Sequence, residues 1–382
     1  MIHNMIVKGL NEKYDYNLTF FHDINILTGR NGAGKTTLLK LLWYLISGNI
    51  ERAIDEIHFR YVYLSGDGFE LEINNEIVED STHDLVQIKY TVGSDSKDAL
   101  VLRSMKRIVT KAELEQIKEY EDIDVINRVI EKATDSSLFF PTFRRIEGGF
   151  SITGKGKRNR YSRINVEEAL NTVSNELSVS RHKFISSVST SDIVSLLTEK
   201  YANISEETNR LHTELTNYIE EQINENVGTN NNKSDKTLLD DANNILKRIH
   251  NQLNYVTEQR ETLLKPFTVL SSLIADVFQH KGIKVTSVIT LGEAKEAMFS
   301  DALSAGEKQM LSFLCYNAFS DNCPIFIDEP EISLHVDWQR ILFPTLLSQS
   351  QTNQFFIATH SPFIYSKYED REIMLVDDRG GF

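Results

Sequence analysis

Apolar and polar residues alternate along the first part of the chain. Short apolar runs separated by Gly, Asn, Asp and Ser fill the first 28 residues and recur between positions 59 and 102. Alternation with a period of two predicts β-strands. The first strands lead into a glycine-rich loop, and the later ones form an antiparallel meander with one solvent-exposed face. The acidic segment 110–133 is predicted to be helical, and Leu138–Phe143 to be extended.

Apolar residues recur at helical spacing between about positions 165 and 280. One stripe consists of Ile204, Leu211, Leu215, Tyr218 and Ile223, and the other of Leu239, Ala242, Leu246, Ile249, Leu253 and Val256. The polar segment 225–237 between them has the composition of a loop. This pattern predicts an antiparallel helical hairpin whose stripes pack together, with docking of a partner as the alternative use. We therefore divide the chain into an N-terminal α/β part at 1–160, a helical hairpin insertion at 161–281 and a C-terminal α/β part at 282–382.

The composition is that of a soluble globular protein, with 41% hydrophobic and 25% charged residues among 382. The cysteines, Cys315 and Cys323, make neither a disulfide framework nor a zinc pattern, so a reducing cytoplasm is the expected location. We find no apolar run of about eighteen residues and no signal-peptide pattern, so we expect neither a membrane span nor export. A net charge of −14 argues against a general nucleic-acid coat but leaves a local basic patch possible.

The glycine-rich loop Gly29–Thr37 reads G-R-N-G-A-G-K-T-T and satisfies the P-loop pattern. Its glycines let backbone N–H groups approach phosphate oxygens, and the helix that follows points the positive end of its dipole at the anion. Lys35 would reach the β- and γ-phosphates of ATP, and the Thr36 hydroxyl would ligate Mg²⁺. The alternative is a glycine turn that only caps a helix. The candidate ATP-binding residues of the loop are Asn31, Gly32, Ala33, Gly34, Lys35, Thr36 and Thr37.

A second candidate phosphate-binding segment lies at Leu303–Gln309, which reads L-S-A-G-E-K-Q. Ser304 and Glu307 form the S-x-x-E pattern of a capping box, which by itself is a structural cap at a helix start. The functional interpretation is that Ser304, Gly306 and Glu307 make another phosphate-binding surface at a helix N-terminus.

Two carboxylates follow the apolar run Pro324–Ile327. Asp328 would hold Mg²⁺, directly or through water, and Glu329 would be the general base that orients and polarises the attacking water. A strand followed by a helix cap is the alternative. Another predicted strand precedes His360, which is either a packed loop residue or a sensor of the γ-phosphate. The predicted catalytic residues are therefore Lys35, Glu329 and His360.

These segments together resemble the soluble ABC-type ATPases of the OLD, RecF and SMC-like branch. The matching segments, in the family's order, are G-R-N-G-A-G-K-T-T, L-S-A-G-E-K-Q, I-F-I-D-E-P, the D-loop-like E-I-S-L-H at 331–335, and T-H-S-P. The resemblance implies an α/β ATPase head with a mixed sheet, an antiparallel β subdomain and an inserted helical hairpin. It also implies ATP hydrolysis to ADP and phosphate. Finally, it implies a head-to-tail dimer or higher even assembly, in which Ser304, Gly306 and the Ser333–His335 loop act on the ATP of the partner head.

The resemblance extends to ATPase subunits of bacterial anti-phage defence systems of the Septu or retron-associated type. OLD nucleases carry a metal-dependent nuclease domain after the ATPase, and this sequence contains no match to it. We therefore expect a subunit that controls a separately encoded effector, such as a nuclease. The alternatives are a RecF- or Rad50-like DNA-repair ATPase that binds DNA directly, the ATP-binding subunit of a membrane transporter, and an ATP-locked scaffold that turns over slowly.

The sequence departs from the family pattern at the Q-loop. No convincing glutamine follows the meander, and two arginines stand near its expected place, in the basic segment 141–163. This segment could grip a nucleic-acid backbone, or it could be a solvated loop. The candidate nucleic-acid contacts are Arg144, Arg145, Lys155, Lys157, Arg158 and Arg160.

Overall fold

The computed structural model describes residues 1–77, 84–92, 100–107, 120–142, 172–186, 190–227, 235–277, 304–349 and 352–376. It divides into two compact units. The first contains Met1–Val188, Ser304–Met310 and Ser320–Phe382, and the second contains Ser189–Leu303 and Leu311–Phe319. The boundaries predicted for the insertion, 161 and 281, stay predictions.

An antiparallel sheet forms one part of the first unit. Its strands are β1 Ile2–Leu10, β2 Tyr14–Thr19, β4 Tyr61–Gly66, β5 Phe69–Ile77, β6 Asp84–Val92 and β7 Leu100–Arg107, in the spatial order β2-β1-β4-β5-β6-β7. Strands β4 to β7 pair consecutively, as in the predicted meander.

A parallel sheet forms the other part of the first unit. Its strands are β3 Ile24–Thr28, β8 Ser137–Phe140, β9 His182–Phe184, β10 Pro324–Asp328, β11 Gln354–Ala358 and β12 Glu372–Met374, in the order β12-β3-β11-β10-β8-β9. Every residue of β3, β8, β10 and β11 is buried, as expected for parallel strands covered on both faces. Because the strands are parallel, the residues that follow β3, β8, β10 and β11 meet at one edge of the sheet.

The helices are α1 Lys35–Ile46, α2 Ile50–Glu56, α3 Tyr120–Ala133, α4 Thr190–Val227, α5 Asp235–Val277, α6 Ala305–Ala318, α7 Val336–Leu347 and α8 Pro362–Tyr365. Helix α1 is apolar almost all round and is therefore buried. Its Trp43 ring lies 5.5 Å from the rings of Phe139 and Phe184, within one core cluster that takes side chains from both sheets.

The second unit contains the predicted helical hairpin, formed by α4 with 38 residues and α5 with 43 residues. Leu211, Leu215 and Val256 of the predicted stripes are buried together. The prediction is wrong for Ile223, Leu246 and Leu253, whose exposed fractions are 51%, 63% and 47%. On α5 the exposure of Leu253 follows from its angle on the helix. Leu253 is three residues before the buried Val256 and therefore lies about 60° away from it around the helix axis.

The predicted fold class is confirmed: an α/β head with an antiparallel β subdomain and inserted helices. The central sheet, expected to be mixed, is parallel in all its described pairs. Across the described ranges, no helix has the length and apolarity needed to cross a membrane.

A buried hydrogen-bond chain ties β9 to α1 and α3. Trp43 Nε1 donates to Ser137 Oγ at 3.0 Å, Ser137 Oγ donates to His182 Nδ1 at 2.8 Å, and His182 Nε2 donates to the Glu131 carbonyl oxygen at 3.0 Å. An indole nitrogen only donates and a carbonyl only accepts, so Ser137 Oγ accepts from Trp43 and His182 Nε2 carries a proton. The Ser137 hydroxyl donates to His182 Nδ1 when the imidazole is neutral, which is the form that burial favours. Burial accordingly lowers the pKa of His182.

We expect the free energy of unfolding to fall as the pH drops below about 6.5, the pKa of an unfolded histidine. There the unfolded chain takes up a proton that folded His182 does not, which costs at most about 1.4 kcal/mol per pH unit. Urea unfolding followed by tryptophan fluorescence at about pH 7.5 and about pH 5.5 measures this loss. The His182→Gln variant should be less stable throughout but should change less between the two pH values. Equal changes in both proteins would contradict the assignment.

Candidate nucleotide-binding site

The P-loop joins β3 to α1 at the carboxyl edge of the parallel sheet. Gly32 and Gly34 both have φ of 83°, in the left-handed region that glycine adopts without strain. Gly34 is the N-cap of α1, and Lys35 is the first residue of the helix. The loop therefore ends at the N-terminus of a buried twelve-residue helix, where free backbone N–H groups and the helix dipole favour an anion.

Lys35 is held inside this loop, with an exposed fraction of 5%. Its Nζ donates to the Gly29 carbonyl oxygen at 3.0 Å and to His360 Nε2 at 2.8 Å. Burial lowers the pKa of the Lys35 ammonium, and the charges of Glu329 and Asp328 oppose that change. The cation thus lies between the P-loop and the residue that follows β11, where it can contact a phosphate bound to the loop.

Asp328 ends β10 and is 2% exposed. Its Oδ1 accepts a hydrogen bond from Thr36 Oγ1 at 2.9 Å, and its Oδ2 accepts one from Thr142 Oγ1 at 2.5 Å. Burial raises the pKa of this carboxyl, an effect that the two hydroxyls oppose. One carboxylate beside a P-loop hydroxyl fits Mg²⁺, which is usually held by one or two carboxylates together with substrate phosphates.

Glu329 has a strained backbone, with φ of 49° and ψ of 56° in the left-handed region. Such a conformation in a residue other than glycine costs about 1–3 kcal/mol and is found preferentially at functional sites. The Glu329 N–H donates to the Ala358 carbonyl oxygen at 2.8 Å, which ties the end of β10 to the end of β11.

Two residues near Asp328 and His360 were not predicted from the sequence. Thr142 follows β8 directly, and only the pairing of β8 with β10 brings it to Asp328. Glu331 Oε1 accepts from the His360 backbone N–H at 2.7 Å, and Glu331 Oε2 is a buried atom without a hydrogen-bond partner among the described residues. The available sequence signals were the position of Thr142 after an apolar run and the spacing E-P-E.

Two tyrosines of β2 support the P-loop and were also missed. Tyr16 is buried, and its hydroxyl donates to the Ala33 carbonyl oxygen at 2.7 Å. The ring of Tyr14 stacks on Tyr16 with centroids 5.8 Å apart. Burial raises the pKa of the Tyr16 phenol to about 12, so it stays a donor at neutral pH.

The second predicted segment begins α6. The Ser304 N–H donates to Glu307 Oε2 at 2.6 Å, and the Glu307 N–H donates to Ser304 Oγ at 3.3 Å, which is a complete capping box. Gly306 packs so closely that a Cβ atom there would lie 2.3 Å from the Ser333 carbonyl oxygen. The start of α6 and the D-loop-like segment therefore form one continuous structure.

The structure thus brings together the predicted Lys35, Thr36, Asp328 and His360, with Glu329 beside them. The residues predicted to contact nucleic acid (Arg144, Arg145, Lys155, Lys157, Arg158 and Arg160) lie outside the described residues. Their role stays a prediction.

A protein-family profile described as "AAA domain, putative AbiEii toxin, Type IV TA system" matches residues 24–366. This range contains the P-loop, both carboxylates and His360. Together with the two relatives below, this match confirms the predicted resemblance to the soluble P-loop ATPases of the OLD, RecF and SMC-like branch.

Two curated proteins are similar to parts of the chain. Endonuclease GajA of Bacillus cereus (strain VD045) is 24% identical over 197 residues, which cover 46% of this chain and 32% of that protein. Retron Ec83 probable ATPase of Escherichia coli is 24% identical over 160 residues, which cover 38% and 30% respectively. The chain spans about a third of the length of these relatives.

Among solved structures, the Smc head domain with an extended coiled coil, bound to the C-terminal domain of ScpA from Pyrococcus furiosus, is 13% identical. The aligned region covers 96% of this chain and 91% of the Smc chain, with a TM-score of 0.35. The fold is established by the strand pairing described above and not by this comparison.

Proposed function

Because the chain belongs to the family described as "AAA domain, putative AbiEii toxin, Type IV TA system", we propose that it binds and hydrolyses ATP as a subunit of a bacterial anti-phage defence complex. The observation that carries the proposal is the meeting of Lys35, Asp328, Glu329 and His360 at the carboxyl edge of the parallel sheet. A P-loop lysine that contacts phosphate, an aspartate that holds Mg²⁺ and a residue that orients the attacking water are the recurring parts of P-loop sites for phosphoryl transfer.

The residues have distinct roles in this proposal. The N–H groups of the P-loop and Lys35 bind the phosphates, and a bound phosphate replaces the contact between Lys35 and His360. Thr36 and Asp328 would hold Mg²⁺, which neutralises phosphate charge when bound. Glu329 accepts a proton from the attacking water as general base, and His360, released from Lys35, contacts the γ-phosphate.

The complete site requires two heads. In our proposal Ser304, Gly306 and the Ser333–His335 loop of one head close over the ATP of the other. The close packing of Gly306 against the Ser333 carbonyl supports this, because it holds the two segments next to each other. ATP then favours the closed dimer because it binds that state more tightly, and hydrolysis removes the preference.

The defence role and the separate effector rest on the relatives and on the family resemblance. One relative is an endonuclease and the other is a probable ATPase of a retron. We propose that the heads control a separately encoded effector, most simply a nuclease, through opening and closing. The second candidate is a RecF- or Rad50-like repair ATPase that binds DNA itself, which the basic segment 141–163 favours.

Affinity purification of the tagged chain from its host, followed by native mass spectrometry with and without ATP, tests the proposal. A stoichiometric complex with a second protein that has nuclease activity is the expected result. A homodimer that closes on ATP and retains DNA without a protein partner would overturn effector control and support the repair-type function instead.

A further inference from the structure

The side-chain amide of Gln339, in the first turns of α7, joins two loops of the nucleotide site. Its Nε2 donates to the Leu334 carbonyl oxygen at 2.8 Å and to the Glu331 carbonyl oxygen at 3.2 Å. Its Oε1 accepts from Ser361 Oγ at 2.6 Å. One planar group thus connects the segment after β10 with the segment after β11, through three bonds at hydrogen-bonding distance.

The position of His360 depends on the bond between Ser361 and Gln339 and on a second hydrogen bond. On its own backbone, the His360 N–H donates to Glu331 Oε1 at 2.7 Å. The residue after it, Ser361, is 7% exposed and caps α8 by accepting from the Phe363 N–H at 3.3 Å. Because the Ser361 hydroxyl donates to Gln339 Oε1, the amide of Gln339 restrains the residue next to His360.

The other end of the connection is the D-loop-like segment. Leu334, whose carbonyl oxygen accepts the hydrogen bond from Gln339 Nε2, is 5% exposed and lies between Ser333 and His335. Ser333 packs against Gly306 at the start of α6, and His335 is the N-cap of α7. The position of this loop is therefore set from one side by α6 and from the other by Gln339.

We propose that Gln339 is a positioning residue that couples the two ATP sites of a pair of heads. This inference rests on the proposed function, in which His360 contacts the γ-phosphate of its own head and the Ser333–His335 loop closes over the ATP of the partner. When the partner's ATP moves that loop, the amide of Gln339 carries the displacement to Ser361 and so to His360. An ionised Glu side chain only accepts hydrogen bonds and a Met side chain donates none, so neither makes this set of bonds.

The test compares ATP hydrolysis by the wild type, Gln339→Met, Ser361→Ala and the double variant. Met matches the length of Gln but makes none of its three hydrogen bonds. We expect Gln339→Met to bind ATP with an affinity within about twofold of the wild type, because the P-loop is untouched. Its kcat should fall about tenfold, and its Hill coefficient for ATP should drop to about one. Ile341→Met, a change of an exposed side chain on the same helix, is the matched control.

The double variant separates coupling from local damage. If both residues act through the shared hydrogen bond, the kcat of the double variant is no lower than that of the worse single variant. Wild-type kcat and cooperativity in Gln339→Met would overturn the inference, and so would a loss of kcat with an equal loss of ATP affinity. A wild type that fails to hydrolyse ATP would refute the proposed function itself. A wild type that hydrolyses ATP without cooperativity would refute the coupling.

Discussion

Replacing Glu329 with Gln is expected to abolish steady-state ATP hydrolysis while ATP binding persists. Gln has the same shape and keeps the bond from the backbone N–H to the Ala358 carbonyl, but it cannot accept the proton of the attacking water. General-base catalysis contributes about 10²–10⁴-fold, so phosphate release should fall by at least about a hundredfold. Because the closed state is then not relieved by hydrolysis, dimers should accumulate with ATP in size-exclusion chromatography.

The control for this prediction is Glu369→Gln, which removes an exposed carboxylate outside the site. It should hydrolyse ATP as the wild type does. Unchanged hydrolysis in Glu329→Gln would show that Glu329 is not the general base. Loss of ATP binding in this variant would show instead that the substitution disturbs the strained turn after β10.

Replacing Lys35 with Met is expected to remove most of the affinity for ATP. Hydrogen bonds to charged groups contribute about 1.5–3 kcal/mol each, so the dissociation constant should rise about tenfold to about a hundredfold. Titration calorimetry with Mg²⁺ and ATP measures the change. The matched control is Lys40→Met on the same helix, since Lys40 is partly exposed and pairs with Glu56 at 2.7 Å. Equal ATP affinity in both variants would contradict the role of Lys35.

The parts of the site that the sequence predicts are those with fixed local spacing. The P-loop, the capping box of Ser304 and Glu307, and the carboxylates after an apolar run each lie within about ten residues, where backbone geometry leaves few alternatives. Their alignment at one edge then follows from parallel strand pairing. The roles assigned to these residues stay predictions until nucleotide binding is measured.

The parts that the sequence does not predict depend on contacts between distant segments. Thr142 reaches Asp328 only because β8 pairs with β10, and Tyr16 reaches Ala33 only because β2 lies beside the P-loop. Gln339 looks like an ordinary polar position of a helix, and its role depends on the loops on either side. No local pattern encodes these distances.

The helical stripes show a different limit. Apolar residues at helical spacing identified α4 and α5, yet Leu246 and Leu253 point away from the buried seam. Helical spacing alone assigns residues within a broad arc of the helix surface to one stripe. The seam between two helices buries only a narrow arc. Periodicity therefore predicted the helices more reliably than their packed faces.

The central claim is that each ATP is enclosed by the P-loop of one head and by Ser304 and Gly306 of another. Mixing Lys35→Met with Ser304→Arg tests it, because each variant alone has no intact composite site, whereas a mixed dimer has one. Random pairing makes about half of the dimers mixed, and each mixed dimer has one intact site of two, so the mixture should recover ATP hydrolysis up to about a quarter of the wild-type rate. A mixture as inactive as the two separate variants, with both folded and dimers formed, would contradict the shared site.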